Sequence, residues 1–187
     1  TNPRGGFTTA TVSITGLAQP VFAADLASGH TDIGVNFEGG DWDLHIHDEE
    51  TDTEYAPDEA LLRVGAESLV VRNGVFSDSV YDFLGAPIGG SLFVLPEVEN
   101  TELLFLGLGT EEVAPGTFDR GSLQLRLKSV NGHGHFSAWR STIDGPEVLF
   151  STFDGITAND VATLLEGGHA HTNWGFTSAG EYRVTFD

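Results

Sequence analysis

The chain contains no cysteine and no methionine. Without thiols there is no disulfide framework, no thiolate metal ligation and no cysteine nucleophile, which removes several enzyme classes at once. Basic residues are scarce too: eight Lys and Arg, of which only Lys128 is a lysine, stand against 28 Asp and Glu, for a formal net charge of −20. Such a surface repels phosphate backbones and anionic lipids, so no nucleic-acid partner is expected and cations are the natural counter-partners. No apolar run approaches the roughly 20 residues needed to span a bilayer, so this segment does not insert into a membrane. The acidic, lysine-poor composition predicts a secreted or salt-adapted surface. Methionine is missing even at residue 1, which leads to the expectation of a processed or trimmed chain whose signal peptide and anchor lie outside it. Among motifs, there is no Gly-x-Ser-x-Gly elbow, no His-Glu-x-x-His, no phosphate loop and no Rossmann glycine fingerprint.

What the chain does have is period-two alternation punctuated by Gly, Pro, Asn and Asp. Strands are expected over residues 7–15, 21–26, 30–38, 41–48, 61–64, 69–71, 91–95, 103–108, 148–153, 161–165, 169–177 and 181–186, with a segment over 76–84 that stops at the turn Gly85-Ala86-Pro87. Leu123, Leu125 and Leu127 alternate with Gln124, Arg126 and Lys128, and the alternation resumes at 135–142 beyond Asn131-Gly132-His133-Gly134, which predicts a hairpin. Helical periodicity is confined to a hint at 58–62. The expectation is one all-β domain over residues 1–187: a β-sandwich, jelly-roll or immunoglobulin-like, of about a dozen short antiparallel strands. Gly180-Glu181-Tyr182 is the turn-plus-tyrosine pattern of immunoglobulin-like corners, which places Tyr182, Val184 and Phe186 toward the core.

The stretch 30–48 organises the rest. Gly39-Gly40 tolerates the positive φ angles of a two-residue hairpin turn, which fixes the register: Glu38 opposite Asp41, Phe37 opposite Trp42, Val35 opposite Leu44, Ile33 opposite Ile46 and Asp32 opposite His47. Alternation then puts Ile33, Val35, Phe37, Trp42, Leu44 and Ile46 on one face, expected to be core. His30, Asp32, Asn36, Asp43, His45 and His47 share the other. Six of the seven histidines fall in His-x-His pairs, at 45/47, 133/135 and 169/171. Residues i and i+2 of a strand point the same way, about 6.5–7 Å apart, so such pairs can converge on one ion when a neighbouring strand supplies further ligands. His30, Asp32, His45 and His47 already share a face. His169 and His171 share a polar face with Asn173. His133 and His135 lie between glycines and read as turn residues. The expected metal set is His45, His47, His169 and His171 with His30 as a fifth ligand; imidazole without sulfur favours zinc or copper. A second cation is considered at Asp48, Glu50, Asp52 and Glu59, which hold places one, three, five and twelve of a calcium-loop spacing, although Thr53 stands where that motif needs glycine.

Four stretches carry a family resemblance: Trp-Asp-Leu-His-Ile-His-Asp-Glu-Glu at 42–50, Glu-Tyr-Ala-Pro-Asp-Glu-Ala-Leu-Leu at 54–62, Leu-Leu-Phe-Leu-Gly-Leu-Gly-Thr-Glu-Glu at 103–112 and Gly-His-Ala-His-Thr-Asn-Trp-Gly-Phe at 168–176. With the ending Gly-x-Tyr-x-Val-Thr-Phe, they resemble the bacterial choice-of-anchor M family, similar to the surface-anchored domain of actinobacterial cell-wall proteins. The resemblance spans residues 30–186. It implies export, attachment to the cell surface and, for some members, association with zinc- and manganese-type uptake systems. The family's histidine motifs fall on His30, His45, His47, His169 and His171; His133 departs from the pattern, which has a proline or small residue there.

The functional expectation is therefore an extracytoplasmic, surface-anchored domain that holds a transition metal. One alternative is a carbohydrate-binding or adhesive module, recognising glycan or other cell-surface components, with structural calcium and Trp139 as the aromatic platform. Another is a metal-dependent hydrolase, with Asp32 or Asp43 as general base.

Overall fold

The computed structural model describes residues 10–14, as backbone, and 22–187 with their side chains. In chain order the strands are β1 (Ala10–Ile14), β2 (Ala24–Leu26), β3 (Gly29–Glu38), β4 (Asp41–Asp48), β5 (Thr53–Tyr55), β6 (Ala60–Leu62), β7 (Leu69–Val71) and β8 (Ser91–Leu95). There follow β9 (Leu104–Gly109), β10 (Ser122–Asn131), β11 (Phe136–Thr142), β12 (Gly145–Ser151), β13 (Val161–Leu165), β14 (His169–His171), β15 (Asn173–Phe176) and β16 (Tyr182–Phe186). They form three main sheets, ordered β1-β16-β10-β13, β12-β11-β15-β8-β7 and β14-β9-β3-β4-β5, with β2 paired to β6 alone. The fold is all-β and sandwich-like. Its main core draws Leu125, Val184 and Phe186 from the first sheet, Phe136, Phe150 and Trp174 from the second, and Ile33, Ile46 and Leu106 from the third. A smaller cluster of Tyr81, Leu84, Leu92 and Trp139 lies on the second sheet. Trp174 joins two sheets, donating its indole N–H to the Leu106 carbonyl at 3.0 Å.

The central hairpin has the expected register, pairing Asp32 with His47, Ile33 with Ile46 and Phe37 with Trp42. Gly39 and Gly40 turn it at φ 64° and 98°, angles that disfavour any residue with a Cβ. Ile33, Val35 and Ile46 are buried, but Phe37, Trp42 and Leu44 are only half-buried, so burial declines toward the turn. At the other end of the chain Tyr182, Val184 and Phe186 enter the core, and the Tyr182 hydroxyl donates to the Ser178 carbonyl at 3.0 Å, as the corner motif requires.

Several expectations are corrected. The segment expected to form a hairpin over 123–142 does not: β10 pairs with β13 and β16, while β11 pairs with β12 and β15 in another sheet. The glycines between them take no positive φ. They are there to admit Tyr182 instead, since a Cβ on Gly132 would come within 2.3 Å of its ring and one on Gly134 within 2.7 Å of its hydroxyl. Residues 76–84 form 3-10 turns, Gly74–Ser77 and Ser79–Leu84, the second capped by the Asp78 carboxylate accepting from the Val80 N–H. Residues 58–62 end in β6 rather than a helix. Two pairs, β2 with β6 and β3 with β9, are parallel, because long connections return the chain in the same direction. The expected strand over 169–177 breaks at buried Thr172, with β14 and β15 in different sheets. Residues 7–9, 15 and 21 of the first two expected strands lie outside the described residues.

Candidate metal centre

The polar face of the third sheet is built by register. Across β14, β9, β3, β4 and β5 one line of neighbours runs His171, Gly107, Asp32, His47 and Glu54. The next runs His169, Gly109, Gly34 and His45, while His30 sits beside Phe105. Strand β9 alternates Leu104, Leu106 and Leu108 into the core with Phe105, Gly107 and Gly109 on this face. The glycines leave a trough into which larger neighbours fold. A Cβ on Gly107 would come within 2.1 Å of Asp32 Oδ1, 3.0 Å of His169 Nε2 and 3.1 Å of the His171 ring.

Into that trough His30, Asp32, His169 and His171 converge, each offering a ligand atom, all within 4.8 Å of one another. His30 Nε2 and His169 Nε2 are 3.3 Å apart. The carboxylate of Asp32 lies 3.4 Å from the first and 3.2 Å from the second. Asp32 is 2% exposed, and neither of its oxygens has a hydrogen-bond partner; the histidines approach within ion-pair reach without hydrogen-bond alignment. His171 stacks flat on Phe105, with ring centroids 3.4 Å apart, and its Nδ1 is likewise buried without a partner. Behind the cluster, Glu111 Oε1 faces His169 Nδ1 at 3.5 Å, leaving Nε2 directed at Asp32.

The electrostatics follow from this burial. Desolvation raises the Asp32 carboxyl above its usual range; His169 and His30 pull it back, and Glu49 and Glu111 push it up. His171 is lowered to about 4, first by burial and then by His169 and His30 nearby, so its imidazole is neutral and free to ligate at ordinary pH.

His45 and His47 are placed otherwise, so the expected convergence of both pairs divides. His45 is buried, its Nδ1 3.0 Å from Asp43 and its Nε2 3.8 Å from Glu112, and it groups with Glu54 and Glu112. Burial raises the Glu112 carboxyl; His45 opposes this, and Glu54 adds to it. His47 has Glu49 at 3.0 Å on Nδ1 and Asp52 at 3.4 Å on Nε2, so each nitrogen already faces a carboxylate. Of the residues weighed as a general base, Asp32 sits inside the first cluster and Asp43 is held by His45. His135 packs edge-on against Phe153, and among the described residues neither it nor His133 joins a group of possible ligands.

The calcium-loop residues do not gather either. Asp48 accepts from the Glu50 N–H and the Thr51 hydroxyl, Glu50 from the His30 N–H and Glu59 from the Ala56 N–H. Among the described residues, no group of possible ligands includes Asp48, Glu50, Asp52 or Glu59. Trp139, expected as a sugar platform, is 1% exposed and belongs to the core.

Sequence reasoning missed the trough and the carboxylates beyond it. The Gly-x-Gly at 107 and 109 carried the signal: two bare positions on one strand face mark a place where other side chains must lie. No protein-family model, curated protein or solved structure matches the chain. No helix among the described residues is long and apolar enough to cross a membrane.

Proposed function

We propose that this protein is a metal-binding domain that holds one transition-metal ion, zinc by preference, through His30, Asp32, His169 and His171. The observation that carries the reading is the 3.3 Å separation of His30 Nε2 and His169 Nε2, flanked by an Asp32 carboxylate 3.2–3.4 Å from each. Four ligands at bond lengths near 2.0–2.1 Å in a tetrahedron have edges of about 3.3 Å. A buried carboxylate without hydrogen bonds costs stability unless a cation compensates it, and three imidazoles with one carboxylate are a donor set that zinc or copper accepts. Glu111 supports the set from behind by orienting His169. In keeping with the acidic, cysteine-free composition and the motifs at 42–50 and 168–176, we place the domain outside the cytoplasm, as a surface-anchored metal-holding module.

The test is elemental analysis and calorimetric titration of protein purified without a histidine tag and stripped of metal. Zinc should bind with at least one tight equivalent per chain, and copper titrated in parallel ranks the two ions. At a free zinc concentration about 100-fold above Kd, the folded state should gain about 2.7 kcal/mol. Absence of stoichiometric binding for both ions at micromolar concentrations would overturn the reading.

A further inference from the structure

We propose that the same sheet face carries a second, separate cation site, formed by His45 of β4, Glu54 of β5 and Glu112 of the turn after β9. The three ligand atoms lie within 4.8 Å of one another and come from three different elements, so the group is not a chance of local sequence. The independent sign of a ligand is His45 itself. Its side chain is 7% exposed, its Nδ1 is held 3.0 Å from Asp43 Oδ2, and its Nε2 faces Glu112 Oε1 at 3.8 Å, beyond hydrogen-bond reach. With Nδ1–H donating to Asp43, the lone pair sits on Nε2, the arrangement in which an outer carboxylate orients a metal-binding imidazole.

Space has been made for that nitrogen. Gly34 lies under it, and a Cβ there would come within 2.1 Å of Nε2. His45 lines a cavity of about 20 Å³ with Glu112, Glu111, Asp32, His47, Val35 and the bare strand positions Gly34 and Gly109, and Glu54 stands outside that lining. The cavity has room for a water-sized ligand, which needs about 10–15 Å³ on the same measure. Among the described residues, the ion pairs of Arg63, Arg72 and Arg183 are made with Asp25, Asp82 and Glu181 rather than with these carboxylates. One imidazole and two carboxylates form a harder donor set than the three imidazoles and one carboxylate next to it, and three protein ligands leave coordination positions open to water. The site thus fits a more loosely held divalent ion of the manganese or zinc type.

The experiment is equilibrium dialysis of the metal-free chain against Zn²⁺, repeated with Mn²⁺ read by its EPR signal. The wild type should bind two ions. Glu112→Gln, at a part-exposed position that does not threaten the fold, should weaken the second by about 10-fold or more and leave the first, since even outer-shell losses cost on the order of 10–100-fold. Glu54→Gln should reproduce the effect, and His171→Ala should remove the first ion and spare the second. If the wild type binds one ion that Glu112→Gln keeps and His171→Ala loses, the second site does not exist and the first stands. If the single ion is lost in Glu112→Gln and kept in His171→Ala, the four-ligand site fails and this one stands. No binding in any protein overturns both.

Discussion

The two flanks of one sheet face use the same motif to different ends. On β4, His45 and His47 each meet a carboxylate two residues away in the chain, Asp43 at 3.0 Å and, just past the strand end, Glu49 at 3.0 Å. On β14, the corresponding positions beside His169 and His171 are Gly167 and Asn173, which offer no charge. Those imidazoles must find partners from other elements, and they find His30, the buried carboxylate of Asp32 and, at His169 Nδ1, Glu111. On β4 each imidazole thus has its Nδ1 held locally. A His-x-His pair flanked by neutral residues is available to a ligand that binds several strands at once.

The sharpest way to break this comparison is by histidine replacement. The double variant His169→Ala/His171→Ala should lose the tight zinc equivalent altogether, whereas His47→Ala should retain it, both measured by metal content after dialysis. Equal losses would mean that the flanks are not distinct. The next largest effect separates two glycines of β9. Gly107→Ala drives a Cβ into Asp32 and His169 and should weaken zinc by about 10–100-fold, the range for disturbed ligand orientation. Gly109→Ala meets Asp32 only at 3.6 Å, an ordinary contact, and should cost little by the same titration.

Stability in the absence of metal gives a smaller, signed effect. The folded Asp32 carboxyl is raised above its ordinary 3.8, so its relative contribution to stability is present at low pH and lost as pH rises through the raised value. Above that value the metal-free fold carries a desolvated charge. Asp32→Asn should therefore stabilise the metal-free protein by roughly 1 kcal/mol in denaturant unfolding while abolishing tight zinc, because an unpaired amide costs less than an unpaired charge. A destabilised variant would show that the imidazoles already compensate the carboxylate. A further signed effect concerns acid. His171 is lowered from 6.5 to about 4, so the unfolded chain takes up the proton first and metal-free stability falls as pH drops from about 6.5 to about 4. Replacing His171 by Gln should flatten that window in melting scans.

Much of the face could be read along the chain. Gly39-Gly40 fixed the β3–β4 register because both residues need positive φ, and register placed Asp32 level with His47. A similar glycine-rich turn at 131–134 misled, since its glycines answer to the bulk of Tyr182, more than 45 residues downstream, and not to a turn. Local pattern looks the same whether a glycine is chosen for its φ or for the absence of its side chain.

Alternation and turn chemistry by themselves determined the all-β class, the central hairpin, the tyrosine corner and the polar face on which the histidines stand, because each depends on residues a few positions apart. Only the tertiary structure decided which histidines meet. That choice rests on β9 entering parallel beside β3 and carrying β14 on its far edge, pairings between segments more than 50 residues apart. Such contacts are set by how three apolar faces close on one core, a condition of the whole chain that no local spacing encodes.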